Sequence, residues 1–100
     1  MAGVGKDVDN NKKYGFIDRT GKLVIPLQYD SVGVFSEGLA AVKSNGKVGF
    51  VDKTGKVVIP LKYEDFYFIY NVKFKKGIVK VKLGDKDFYI GKDGTEYYEP

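Results

Sequence analysis

The residues through which this chain could do chemistry are three aspartates beside glycines and a run of lysines. Asp18, Asp52 and Asp93 could assemble as carboxylates for metal or acid chemistry. Each, however, stands in a short Gly-containing stretch where a carboxylate accepts hydrogen bonds from turn N–H groups, and the turn assignment is preferred. Lys73, Lys75, Lys76, Lys80 and Lys82, with Tyr67 nearby, combine charge to neutralise phosphates with a ring to stack on bases. Lysines also protect exposed strand edges from pairing with other chains, and a contact with another protein is a third use. Gly-Lys recurs at Gly5, Gly21, Gly46, Gly55 and Gly91, never with the spacing of a phosphate loop leading into a helix. The chain has no histidine and no cysteine, so it lacks the commonest general base and the thiol nucleophile. Disulfides and Cys-based zinc sites are excluded with them. No catalytic residue, metal site or cofactor is expected, and the chain reads as non-enzymatic.

The elements that must position these residues come from an internal repeat. Gly15 to Asp30 returns as Gly49 to Glu64 at an offset of 34, with eleven of sixteen positions identical and the other five exchanged conservatively. Self-similarity at such a period marks a stack of supersecondary units. One hundred residues with eight Tyr, seven Phe, thirteen Gly and no Trp favour strands and tight turns over helices. Strand alternation places Tyr14 and Phe16 on one face and Gly15 and Ile17 on the other.

Turn chemistry divides the strands. Asp18 to Gly21 and Asp52 to Gly55 place Asp first and Gly fourth, as in a type I turn whose last residue takes a positive φ. Gly91 to Gly94 keeps only the closing glycine. Asn45-Gly46 supplies the two positive φ values of a type I′ hairpin, and Gly84-Asp85 suits a type II′ reversal. Subtracting the period from the Ser44 to Lys47 turn places a further turn at Asn10 to Lys13. The nearly continuous apolar run Lys22 to Pro26 is expected to be buried on both faces or to cover a partner sheet. Pro26 and Pro60 must sit where ladder pairing breaks or faces an edge. Between Tyr63 and Gly77 the second copy is five residues longer than the first. Its alternation predicts a long hairpin over 66–82, with Phe66, Phe68, Tyr70, Val72 and Phe74 on one face.

The expected organisation is a loose lead-in over 1–7 and one β-repeat domain over 8–100. Within that domain lie a partial unit 8–13, unit one 14–47, unit two 48–86 and a partial unit 87–100. The fold class is all-β: an antiparallel β-repeat domain of about ten short strands, a twisted, roll-like or barrel-like stack of hairpins.

On these residues the chain resembles the WG, or KWG, β-repeats of bacterial proteins. Gly15 to Asp30, Phe35-Ser36-Glu37-Gly38, Ala40, Val42 and Gly46-Lys47 match one unit; Gly49 to Glu64 begins a second, and Phe88 to Gly94 a degenerate third. The Trp that names the family is replaced by Tyr14, Val48 and Asp87. The resemblance implies an all-β repeat protein, exported or at the cell surface, and it transfers no catalytic residues.

Charge is unevenly spread about a net of +4: residues 62–86 carry seven basic and three acidic side chains, residues 87–100 one and four. No run of eighteen apolar residues could span a membrane, and Met1 to Asn11 lacks the apolar core of a signal peptide. The reading is a structural or protein-interaction module that assembles head to tail through incomplete terminal repeats, with itself or another protein as partner. The alternative is a polyanion-binding module, for nucleic acid or acidic polysaccharide, using the lysine hairpin 66–82.

Overall fold

In the computed structural model, which describes residues 2–64, 73–83 and 86–97, turn chemistry and alternation yield ten strands and no helix among the described residues. These are β1 (Ala2–Val8), β2 (Asn11–Ile17), β3 (Leu23–Tyr29), β4 (Ser31–Ser36), β5 (Leu39–Ser44), β6 (Lys47–Asp52), β7 (Val57–Glu64), β8 (Ile78–Leu83), β9 (Lys86–Gly91) and β10 (Glu96–Tyr97). They form two antiparallel sheets, β1-β2-β3 and β10-β9-β8-β7-β6-β5-β4, and neither closes into a barrel.

Among the described residues, four two-residue reversals carry a positive φ at both central positions, the type I′ geometry that matches strand twist. They are Asp9-Asn10, Glu37-Gly38, Asn45-Gly46 and Lys76-Gly77. Three wider turns share another design. Gly21, Gly55 and Gly94 have φ of 86°, 91° and 89°, and their N–H groups donate to the carbonyls of Asp18, Asp52 and Gly91 at 3.0, 3.0 and 2.9 Å.

The strands build three layers out of step with the sequence repeat. The first is β1-β2-β3, the middle one β4-β5-β6-β7, and the last β8-β9-β10, joined to the middle one where Glu64 of β7 pairs with Lys82 of β8. Each layer therefore joins the end of one sequence unit to the start of the next, as the middle one does with β4 and β5 from unit one and β6 and β7 from unit two. The middle layer is covered on both faces. Ala40, Val42 and Val51 pack toward the first layer, while Leu39, Ala41, Val48 and Phe50 pack toward the last.

Several expectations change. The supposed lead-in 1–7 is largely strand β1, which pairs with β2 along its whole length, from Ala2 with Ile17 to Val8 with Asn11. Its turn falls at Asp9-Asn10, ahead of the position that the period gives, because β2 extends further toward its N-terminus than β6. Among the described residues the first and last segments each take part in three neighbouring strands, β1-β2-β3 and β8-β9-β10. Burial on both faces belongs to β5 and β6, not to the apolar run of β3. Leu23 and its counterpart Val57 are exposed, at 46% and 43%, because β3 and β7 are the outer strands of their layers. Most of the predicted strand 66–74 lies outside the described residues. Phe74 itself is fully buried, and beyond it Lys75 bridges to Ile78.

Candidate functional site

Each interface between layers is made in the same way. The first layer contributes Phe16, Ile25 and Tyr29, the middle layer Ala40, Val42 and Val51, and β4 adds Val32 and Phe35. At the next interface Phe50, Ile59 and Tyr63 face Val79, Val81 and Ile90, with Phe74 in the place of Phe35. The added phenylalanine meets the strand phenylalanine edge-on both times: Phe16 and Phe35 at 4.8 Å and 66°, Phe50 and Phe74 at 4.9 Å and 70°. Such T-shaped pairs set the positive edge of one ring on the negative face of the other. A layer thus shows an aromatic front and an aliphatic back.

The outer strand approaches the middle one unusually closely. A Cβ at Gly15 would lie 2.2 Å from the Ile25 carbonyl oxygen, and one at Gly49 2.6 Å from that of Ile59. Both glycines sit at register shifts, between Tyr14 and Phe16 and between Val48 and Phe50. At these bulges the prolines Pro26 and Pro60 leave the ladder. In the last layer Phe88 occupies the glycine position, and Glu96 with Ile90 and Tyr97 with Tyr89 pair without a shift. The partner of Phe88 on the following strand lies outside the described residues.

The family described as "WG containing repeat" matches residues 14–47 and 49–86. The chain belongs to this family. Neither the curated proteins nor the solved structures compared with it gave a match. The WG glycine is the residue of close approach, Gly15 and Gly49, and the position before it pairs Tyr14 with Tyr29 and Val48 with Tyr63.

The WG stack ends in two unlike surfaces. On the back of the first layer Ala2 pairs with Ile17, and Val4 with Gly15. By register these are the counterparts of Ala40, Val51 and Val42, and of Val79, Ile90 and Val81, all buried between layers. On the first layer Ala2 is exposed, and Val4 and Ile17 are half-buried. On the front of the last layer the counterparts of the buried Leu39, Ala41 and Phe50 are Ile78, Lys80 and Tyr89, while Lys82 pairs with Asp87. Lysines thus stand at two positions of this face, beside the exposed Ile78.

This register places the predicted lysines. Lys80 and Lys82 follow Ile78 along one face of β8, and Lys75 lies opposite Ile78. Lys76 occupies the reversal at φ 53°, and Lys73 is half-buried just before Phe74. Lys82 is flanked across the sheet by Glu64 and Asp87. Tyr67 and Gly84 lie outside the described residues.

Asp18 and Asp52 sit in their WG turns, far apart along the chain and each with its own partners. One carboxylate oxygen of each accepts from the backbone N–H and hydroxyl of the following threonine, at 2.9 and 2.6 Å, and from a lysine N–H at 3.1 Å. In the last layer Asp93 takes over from the third turn position, accepting from Thr95 N–H at 2.9 Å. These hydrogen bonds, led by the threonine hydroxyl at Asp18 and Asp52 and by the Thr95 backbone at Asp93, hold all three carboxyls below their ordinary value. Asp30 is lowered likewise, by Lys13 first and then by the Asn45 N–H.

Two further contacts escaped the sequence pattern. Ser36 Oγ donates to the Phe74 carbonyl at 2.6 Å, and Glu37 accepts from the Gly77 N–H at 2.7 Å. They tie successive WG hairpins together through side chains of the first and backbone of the second. No repeat signal marks them, because Lys75 and Lys76 stand at the corresponding positions.

Proposed function

We propose that this WG-repeat protein is a non-enzymatic structural and protein-interaction module that works through the back of its first layer. The observation that carries this reading is the inequality of its ends. Ala2, Val4 and Ile17 retain the apolar character that their counterparts bury twice within the molecule, whereas Lys80 and Tyr89 close the other end. A polar outer face is what keeps stacked repeats soluble, and the front of the last layer carries Lys80 and Lys82 beside Ile78. Exposed apolar positions rimmed by polar ones are where partners dock. Self-association would then run through first-layer faces and not head to tail, since the lysine-bearing front does not complement the apolar back.

Sedimentation of the intact protein over increasing concentration tests this. Mass that grows with concentration and is lost in Ile17→Lys supports the reading; association unaffected by Ile17→Lys overturns it.

The shared face of Lys75, Lys80 and Lys82 favours a second reading, polyanion binding. Retention on heparin at low salt, lost when Lys73, Lys75, Lys80 and Lys82 are replaced by Gln, would establish it; failure to bind at low salt ends it.

A further inference from the structure

Among the described residues, β1 is an edge strand, whereas β5 is flanked by β4 and Ile78 of β8 is bridged by Lys75. In the middle layer β4 lies along the edge of β5, with Val32 opposite Val42 and Phe35 opposite Ala40. In the last layer Lys75 bridges to Ile78, and the preceding Phe74 is buried in the counterpart position. In the first layer β1 is itself the edge. An edge strand with open backbone groups pairs readily with an extended segment.

From this we infer that β1 is a strand-accepting site for an extended segment of a partner protein. The segment runs antiparallel to β1, carrying a β-branched residue opposite Val4 and an aromatic residue opposite Ala2. There the aromatic ring covers Ile17, as Phe35 covers the interface that holds Val51. The contacts inside the molecule also fix the two residues after the aromatic. Ser36 and Glu37, directly after Phe35, reach the Phe74 carbonyl and the Gly77 N–H of the next hairpin. The corresponding groups one hairpin earlier are the Phe35 carbonyl and the Gly38 N–H. A partner segment therefore carries Ser and Glu after its aromatic residue to engage them. Main-chain pairing supplies the affinity, and the aromatic, Ser and Glu supply the choice.

The inference rests on the interaction reading above and specifies its mode. The test uses isotope-labelled full-length protein and a synthetic peptide of residues 31–37, Ser-Val-Gly-Val-Phe-Ser-Glu, monitored through amide chemical shifts. The expected result is perturbation at Ala2 to Lys6, Ile17 and Gly38, with affinity falling at least about tenfold when the peptide Phe becomes Ala. Absence of perturbation at millimolar peptide overturns the inference. So does perturbation centred on β5, which would mean exchange with β4, or equal binding of the Ala peptide. If the peptide fails while association still depends on Ile17, only the strand mode is lost; if both fail, the interaction reading falls with it.

Discussion

The middle and last layers share a register and differ in what they face. At corresponding positions the middle layer has Ala41, Phe50 and Gly49 where the last has Lys80, Tyr89 and Phe88. The first two exchanges remove the apolar front that a further layer would cover. The third replaces the glycine at which β7 comes close to β6. One strand pattern thus serves as an interior and as an end, and a few side chains decide which.

The largest effect is expected from giving the middle layer the residue of the last. Ala41 is fully buried, so Ala41→Lys places a charge between two layers and should cost about 4 kcal/mol or more. The reverse exchange, Lys80→Ala, removes a half-buried side chain and should cost far less, about 1 kcal/mol. Denaturant midpoints of the two variants measure the contrast, and similar losses in both would show that the last layer is no end cap.

Next comes Gly49→Ala, at about 3 kcal/mol, because its Cβ would meet three backbone atoms within 2.8 Å. Backbone cannot turn aside as a flexible side chain can. A neutral Gly49→Ala would separate the bulge from the glycine.

Smaller still, and equal in the two layers, should be Gly55→Val and Gly94→Val, at about 2 kcal/mol each. Both glycines hold a positive φ in the same turn. Unequal midpoints would reveal that the turns differ more than their geometry shows.

The smallest effect concerns pH. The Asp52 carboxyl is lowered in the folded protein by the Thr54 hydroxyl, then by backbone N–H groups. Its contribution is therefore complete above the ordinary value of 3.8 and is lost as pH falls through the lowered folded value. Asp52→Asn should reduce stability at neutral pH and converge on the unaltered protein in acid. A constant difference across the titration would show that the ionised form is not what the turn uses.

How much could be read in advance depends on the range of the forces involved. Turns such as Asp18 to Gly21 and Asn45-Gly46 were legible because φ preference and carboxylate capping act over four residues. The family was legible from the spacing of Gly15, Pro26 and Tyr29. The phase of the layers was not, because a repeat has no marked beginning: Asp9-Asn10 and the glycine-bearing β1 show their role only when paired with β2. Nor could Leu23 be assigned to an exposed face, since hydropathy does not say whether a strand is outermost. Alternation alone sets Lys80 and Lys82 on one face of β8, but that Lys80 replaces Ala41 needs the register of β5 on β6 and of β8 on β9.

The offset between sequence unit and layer has a consequence for how such a protein grows. A tandem duplication of one period with its breakpoints inside residues 14–64 inserts one further layer of the middle kind and leaves the first and last described layers as they are. Lengthening of that kind creates no new type of surface, and the lysine-bearing layer is carried outward unchanged with every added copy.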